Sequence, residues 1–191
     1  MFYADYNDMQ FQQFINATTV IGNAASATLQ GVEAEALAHV TSRLTVNLAY
    51  AYLDAEYGAF APGKIPVDGA TGQFRVLDGH PLPNAPENSV NLNVTYRQPM
   101  PSLGGELIAD ANVHWQSRTY EDPLAFETES QAPYSISNFR LGDGLEVSAF
   151  VNNAFDEDYY VNIIRTSSFL GGPYGVAGAP PTFGVEVKIN R

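Results

Sequence analysis

Few residues in this 191-residue chain could do covalent or metal chemistry, and their spacing argues against each such use. Asp156-Glu157-Asp158 offers the oxygen ligands that suit a hard cation, but not with the spacing of an EF-hand. The three histidines, His39, His80 and His114, stand isolated; a Ser-His-Asp triad would need the fold to assemble it, and no Gly-x-Ser-x-Gly elbow is present. Gly171-Gly172-Pro173 and Gly175 lack the Lys-Ser/Thr and the strand-to-helix context of a phosphate cradle. With no cysteine there is no disulfide, thiolate metal site or cysteine nucleophile. No enzyme, cofactor or metal is expected. Binding is the chemistry left, and its residue types fall in the long loops: Phe60, Phe74, Arg75, His80, Tyr120, Phe126, Arg165, Phe169 and Tyr174. No single one of them can be assigned to a ligand from sequence.

The elements that would position those loops repeat. Strands of about ten residues with alternating polarity are separated by punctuated connections. Leu44, Val46, Leu48, Tyr50 and Tyr52 share one face of the segment 43–57, opposite Thr45, Asn47, Ala49 and Ala51. Val90, Leu92, Val94 and Tyr96 oppose Asn91, Asn93, Thr95 and Arg97; Leu107, Ala109, Ala111, Val113 and Trp115 oppose Ile108, Asp110, Asn112, His114 and Gln116. Together with 2–12, 29–39, 134–141, 145–155 and 181–190 this predicts about eight strands. No segment has the spacing of an amphipathic helix or the roughly 18 apolar residues of a helical membrane span. The predicted class is all-β.

Predicted connections alternate between short (39–43, 98–105, 142–144) and long (13–28, 58–85, 120–133, 162–180), the habit of up-and-down outer-membrane barrels. The longest strands exceed the 9–11 residues that a tilted membrane strand needs. Tyr50, Tyr52, Tyr57 and Trp115 lie towards the long loops and Tyr96 near a short turn, as two aromatic girdles would. The formal charge of -12 gives nucleic acid no basic footprint, so no nucleic-acid partner is expected. Met1-Phe2-Tyr3-Ala4-Asp5-Tyr6 has neither the basic nor the apolar region of a signal peptide.

Specific segments say which barrel. Gln30-Gly31-Val32-Glu33-Ala34-Glu35 matches a Gly-Val-Glu-x-Glu strand start, and Leu44 to Asp54 matches the strand that follows it. Leu82-Pro83-Asn84-Ala85-Pro86 matches a Leu-Pro-x-x-Pro strand start, Asn153-Ala154-Phe155-Asp156-Glu157-Asp158-Tyr159 an Asn-x-Phe-Asp-x-x-Tyr strand exit, and Pro180-Pro181-Thr182-Phe183-Gly184-Val185 a final-strand start. In this order they resemble the barrel of TonB-dependent outer-membrane receptors over nearly the whole chain. The resemblance implies an antiparallel up-and-down transmembrane β-barrel, of which residues 1–191 would be about the last eight strands of 22. Plug, energy-coupling box and signal peptide are then expected upstream of Met1. It also implies outer-membrane lipid around the wall, a TonB-type energy-coupling complex acting through the plug, and a scarce nutrient such as a ferric siderophore as ligand. The ending Lys188-Ile189-Asn190-Arg191 departs from the terminal aromatic of such barrels. Two other readings stay open on sequence: a self-contained eight-stranded outer-membrane structural or adhesion barrel, and a soluble ligand-binding β-barrel with its faces reversed.

Overall fold

The computed structural model describes residues 1–15, 18–23, 26–58, 76–101, 105–143, 147–164 and 173–188. Eight strands form one antiparallel sheet: β1 (Phe2–Asn7), β4 (Ser26–His39), β5 (Leu44–Tyr57), β6 (Asn88–Met100), β7 (Gly105–Gln116), β10 (Tyr134–Gly142), β11 (Val147–Asn152) and β14 (Thr182–Val187), each beside its successor in that order. Successive strands pair as neighbours, so connections alternate between the two ends and all the long ones gather at one. Three of them fold into hairpins of their own: β2 (Gln10–Ile15) with β3 (Thr18–Asn23), β8 (Thr119–Tyr120) with β9 (Ser130–Gln131), and β12 (Tyr160–Ile164) with β13 (Tyr174–Ala177).

The predicted strand 2–12 is thereby corrected. It breaks at Asp8, whose φ of 56° turns the chain out of the sheet, and its second half pairs with β3 instead. The predicted strand 145–155 also stops early, because Asn153 leaves it at a φ of 47°. Leu145 and Glu146 of that strand, and the predicted last positions Ile189 and Asn190, lie outside the described residues.

Register carries the alternation from strand to strand. Leu44, Tyr96, Ala109, Leu141, Ala149 and Val185 form one apolar row, and Val46, Val94, Ala111, Phe139, Val151 and Phe183 the next. On the opposite face Asn47, Asn93, Asn112 and Asn138 line up across four strands. Nothing among the described residues covers the apolar face: Leu48, Tyr50, Phe139, Leu141 and Val185 are all exposed. The small buried cluster of Tyr57, Leu77 and Leu124 lies under the long loops and not within the sheet. A water-soluble sheet would bury its apolar side; among the described residues this one leaves it uncovered.

Polar pairs rim the apolar face. At the long-loop end Gln30 Nε2 donates to Asp54 at 2.8 Å and Tyr50 Oη to Asn88 Oδ1 at 2.7 Å. At the other end Tyr96 Oη donates to Gln98 at 3.0 Å. The Leu44–Tyr96 pair and Asp54 are ten residues apart along β5, about 34 Å of strand. With a tilt near 45° that is about 24 Å of height, close to the ~25 Å apolar band of outer-membrane barrels.

β1 and β14 are the edges of the sheet and do not pair with each other. At each edge a ring lies against a glycine across the strand pair: Phe2 of β1 against Gly31 of β4, and Phe150 of β11 against Gly184 of β14. A Cβ at Gly31 would meet the Phe2 ring and the Tyr52 carbonyl, so the glycine is required by close approach.

Candidate functional site

The polar face is a bonded wall. Asn112 Nδ2 donates to Asn93 Oδ1 at 2.7 Å and Asn138 Nδ2 to Asn112 Oδ1 at 3.3 Å, while Asn47 Nδ2 donates to Glu35 at 3.2 Å. Thr95 donates to Asp110 at 2.7 Å, and His114 Nδ1 lies 2.9 Å from Asn91 Oδ1. Amides give and accept at once, so one asparagine per strand can pass a hydrogen bond across the sheet without adding charge. Towards the short turns the wall becomes ionic, with Arg97–Glu106 and Arg140–Glu186 pairs at 2.7 Å. Both pairs are about half exposed, so Arg140→Gln should change stability by less than about 1 kcal/mol in a denaturant titration.

At the long-loop end the mouth is built by backbone bonds to the strand tips. Tyr57 N donates to the His80 carbonyl at 2.9 Å, Leu82 N to Ala55 O at 2.9 Å, and Asn84 N to Tyr120 O at 2.8 Å. Leu77 and Leu124 are 0% and 2% exposed, and Met9, Leu82 and Phe126 pack around them. Three connections thus share one apolar knot, made by the turn after β1, the segment before β6 and the β8–β9 loop. Burial there pushes the Glu121 carboxyl upward in pKa, and the bond from the Asn84 amide pulls the other way.

The Asn-x-Phe-Asp-x-x-Tyr segment distributes its residues between both faces. Asn153 is 4% exposed; its Nδ2 donates to the carbonyls of Glu157 (3.0 Å) and Ala179 (3.1 Å), and its Oδ1 accepts from Glu157 N at 2.9 Å. Its own N–H donates to Asn138 Oδ1 at 3.0 Å, joining the motif to the asparagine row. Phe155 goes to the apolar side, edge-on to Phe139 at 6.2 Å. Tyr159 goes to the polar side and stacks on Tyr134 at 4.8 Å. Tyr160 N donates to the buried Gln131 at 2.6 Å, which ties β12 to the β8–β9 loop. Gly178 lies against the Tyr159 ring, where a Cβ would collide with it. Gly178→Val should therefore unstack Tyr159 from Tyr134; a fall in protease resistance of the β12–β13 hairpin, with the sheet intact, is the expected readout.

Of the loop residues singled out by type, Phe126 packs on the buried knot, His80 and Tyr120 hold the mouth through their backbones, and Tyr174 opens β13 with its side chain exposed. Phe60, Phe74, Arg75, Arg165 and Phe169, together with Gly171 and Gly172, lie outside the described residues. His39 meets Thr45 at 3.1 Å, far from His114 in the sheet. Among the described residues no three His, Asp or Glu side chains converge as metal ligands. Sequence reasoning placed Asn153 in a motif without giving it a role, and did not single out Gln131 or Tyr134. The asparagine row could have been found, because its members occupy polar positions at matching distances from successive turns.

An antiparallel sheet with one uncovered apolar face, one hydrogen-bonded polar face and every long loop at one end has the make-up of a β-barrel wall. A family model described as TonB dependent receptor-like, beta-barrel matches residues 1–154. The chain belongs to that family. Among solved structures it is similar to the ferric yersiniabactin uptake receptor FyuA from Yersinia pestis (TM-score 0.70, 19% identity, 96% of this chain and 25% of that one). It is also similar to the siderophore receptor PiuA from Acinetobacter baumannii (0.67, 17%, 96% and 24%). A third likeness is to the ferric-catecholate import receptor Fiu from E. coli K12 (0.62, 18%, 96% and 23%). The chain spans about a quarter of the length of these receptors. No curated protein sequence matches it.

Proposed function

We propose that this chain is a section of the barrel wall of an outer-membrane receptor for energy-coupled uptake of a ferric siderophore. The observation that carries the reading is the uncovered apolar face of the sheet, opposite a face of hydrogen-bonded asparagines, with the long loops collected at one end. Residues 1–191 form the C-terminal part of the barrel domain, and the plug belongs to another part of the receptor. The apolar face meets outer-membrane lipid. Ligand binds between the loop knot and the plug, and a TonB-type complex drives passage by acting on the plug. Siderophore is the favoured cargo because FyuA is named a ferric yersiniabactin uptake receptor, PiuA a siderophore receptor and Fiu a ferric-catecholate import receptor. The wall makes and breaks no bonds.

The test is uptake of radiolabelled iron by cells whose intact gene for this protein is deleted and then restored. Loss of uptake of one ferric siderophore, its return on restoration, and its abolition by a protonophore are expected. Unchanged uptake of every siderophore offered would reject the cargo. Recovery of the protein from the soluble fraction would reject the membrane placement as well.

A further inference from the structure

We propose that the apolar face carries a built site for one phospholipid of the leaflet on the short-turn side, its acyl chain lying along β7 and its phosphate at Arg43. The proposal rests on the membrane reading above and adds a specific lipid to it. On β7 two successive outward positions are alanines, Ala109 and Ala111, while their cross-strand partners on either side are bulky: Tyr96 and Val94 on β6, Leu141 and Phe139 on β10. Side chains at these positions stand perpendicular to the sheet, so β7 becomes the floor of a channel between two walls. β6 and β10 are two strand spacings apart, about 10 Å, which leaves room for a single acyl chain between the flanking side chains. The open cavity of about 490 Å³ on this face takes in the channel and extends past Phe139 and Leu141 to Ala149 and Val151 on β11.

The channel has a polar end. Tyr96, one of its walls, donates from Oη to Gln98 Oε1 at 3.0 Å, and Arg43 Nη1 donates to the same oxygen at 2.7 Å. Gln98 pairs with Leu107, the next outward residue of β7 beyond Ala109, so Leu107 ends the alanine floor on the short-turn side, with the Gln98–Arg43 bond beside it. Arg43 is exposed, and among the described residues its guanidinium has no carboxylate partner, unlike Arg97 and Arg140. A cation held by a neutral amide keeps donors free for a phosphate oxygen. The charge complementarity selects a phosphate-bearing lipid over a bare hydrocarbon.

The intact protein carrying this chain, stripped of lipid in detergent, would be offered micelles containing dioleoylphosphatidylglycerol and weighed by native mass spectrometry. One retained lipid is expected for the wild type and for Ala36→Phe, which alters the apolar face on β4. Ala111→Phe fills the channel and should lower occupancy about tenfold, the effect of removing about two methylenes from contact. Arg43→Gln, at an exposed turn, should also lower it, and keeps the test decisive should Ala111→Phe not fold. Lipid retention by Ala111→Phe equal to wild type, no lipid on the wild type, or a change in self-association in place of lipid content would overturn the site. The membrane reading is scored separately: a penalty at Leu92→Arg with no lipid selectivity at Ala111 removes the site alone.

Discussion

Leu92→Arg is expected to destabilise the intact membrane-inserted protein by about 2–4 kcal/mol, and Asn93→Arg by far less. The two residues are neighbours on β6 and point to opposite faces. Leu92 stands between Leu48 and Val113 midway up the apolar face, where an arginine would have to keep its charge among acyl chains. Asn93 is exposed on the polar face, bonded to Asn112, and an arginine there loses one amide contact but stays in a wet lumen. Urea titration of both variants refolded into vesicles, followed by heat-dependent gel mobility, measures the difference. Equal penalties would mean that the facing of the whole sheet is wrong, since every assignment follows from one register.

Asn153→Ala should cost about 3 kcal/mol. Three side-chain hydrogen bonds disappear at about 1 kcal/mol each, and alanine is poorly suited to the left-handed φ of 47° that asparagine tolerates. Asn153→Gly relieves the backbone but not the bonds, so its stability should fall between those of the wild type and the alanine variant. Asn153→Asp should be worse than Asn153→Gly, because the carboxylate cannot donate to the Glu157 and Ala179 carbonyls. Denaturant midpoints of the three variants give the order. A neutral Asn153→Ala would leave the Asn-x-Phe-Asp-x-x-Tyr segment without its structural reason.

The wall was legible because a membrane strand writes each residue's facing into a period of two. Leu44 through Tyr52 and Leu107 through Trp115 could be sorted residue by residue, and the register keeps that sorting across the sheet. The loop hairpins were not legible. β2–β3, β8–β9 and β12–β13 are held by turns such as Asp8 and by bonds from afar, Gln131 to Tyr160 among them, and no local pattern announces either. Loop composition also misleads about role. Phe126 has the type of a ligand contact, and it packs in the knot beside Leu77 and Leu124, which composition alone passed over.

The two rings set over glycines have a consequence for assembly. β1 and β14 each have one neighbour in this sheet, so they lack the second partner that would hold them against sliding. If β1 slid by two residues, Phe2 would face Leu29 or Glu33, and its ring would meet a side chain where Gly31 now leaves space. Phe150 opposite Gly184 constrains β14 in the same way. Each outermost strand is therefore set by one tooth in a single notch, the tooth on β1 at one edge and the notch on β14 at the other, an alignment mark that checks its position as it docks.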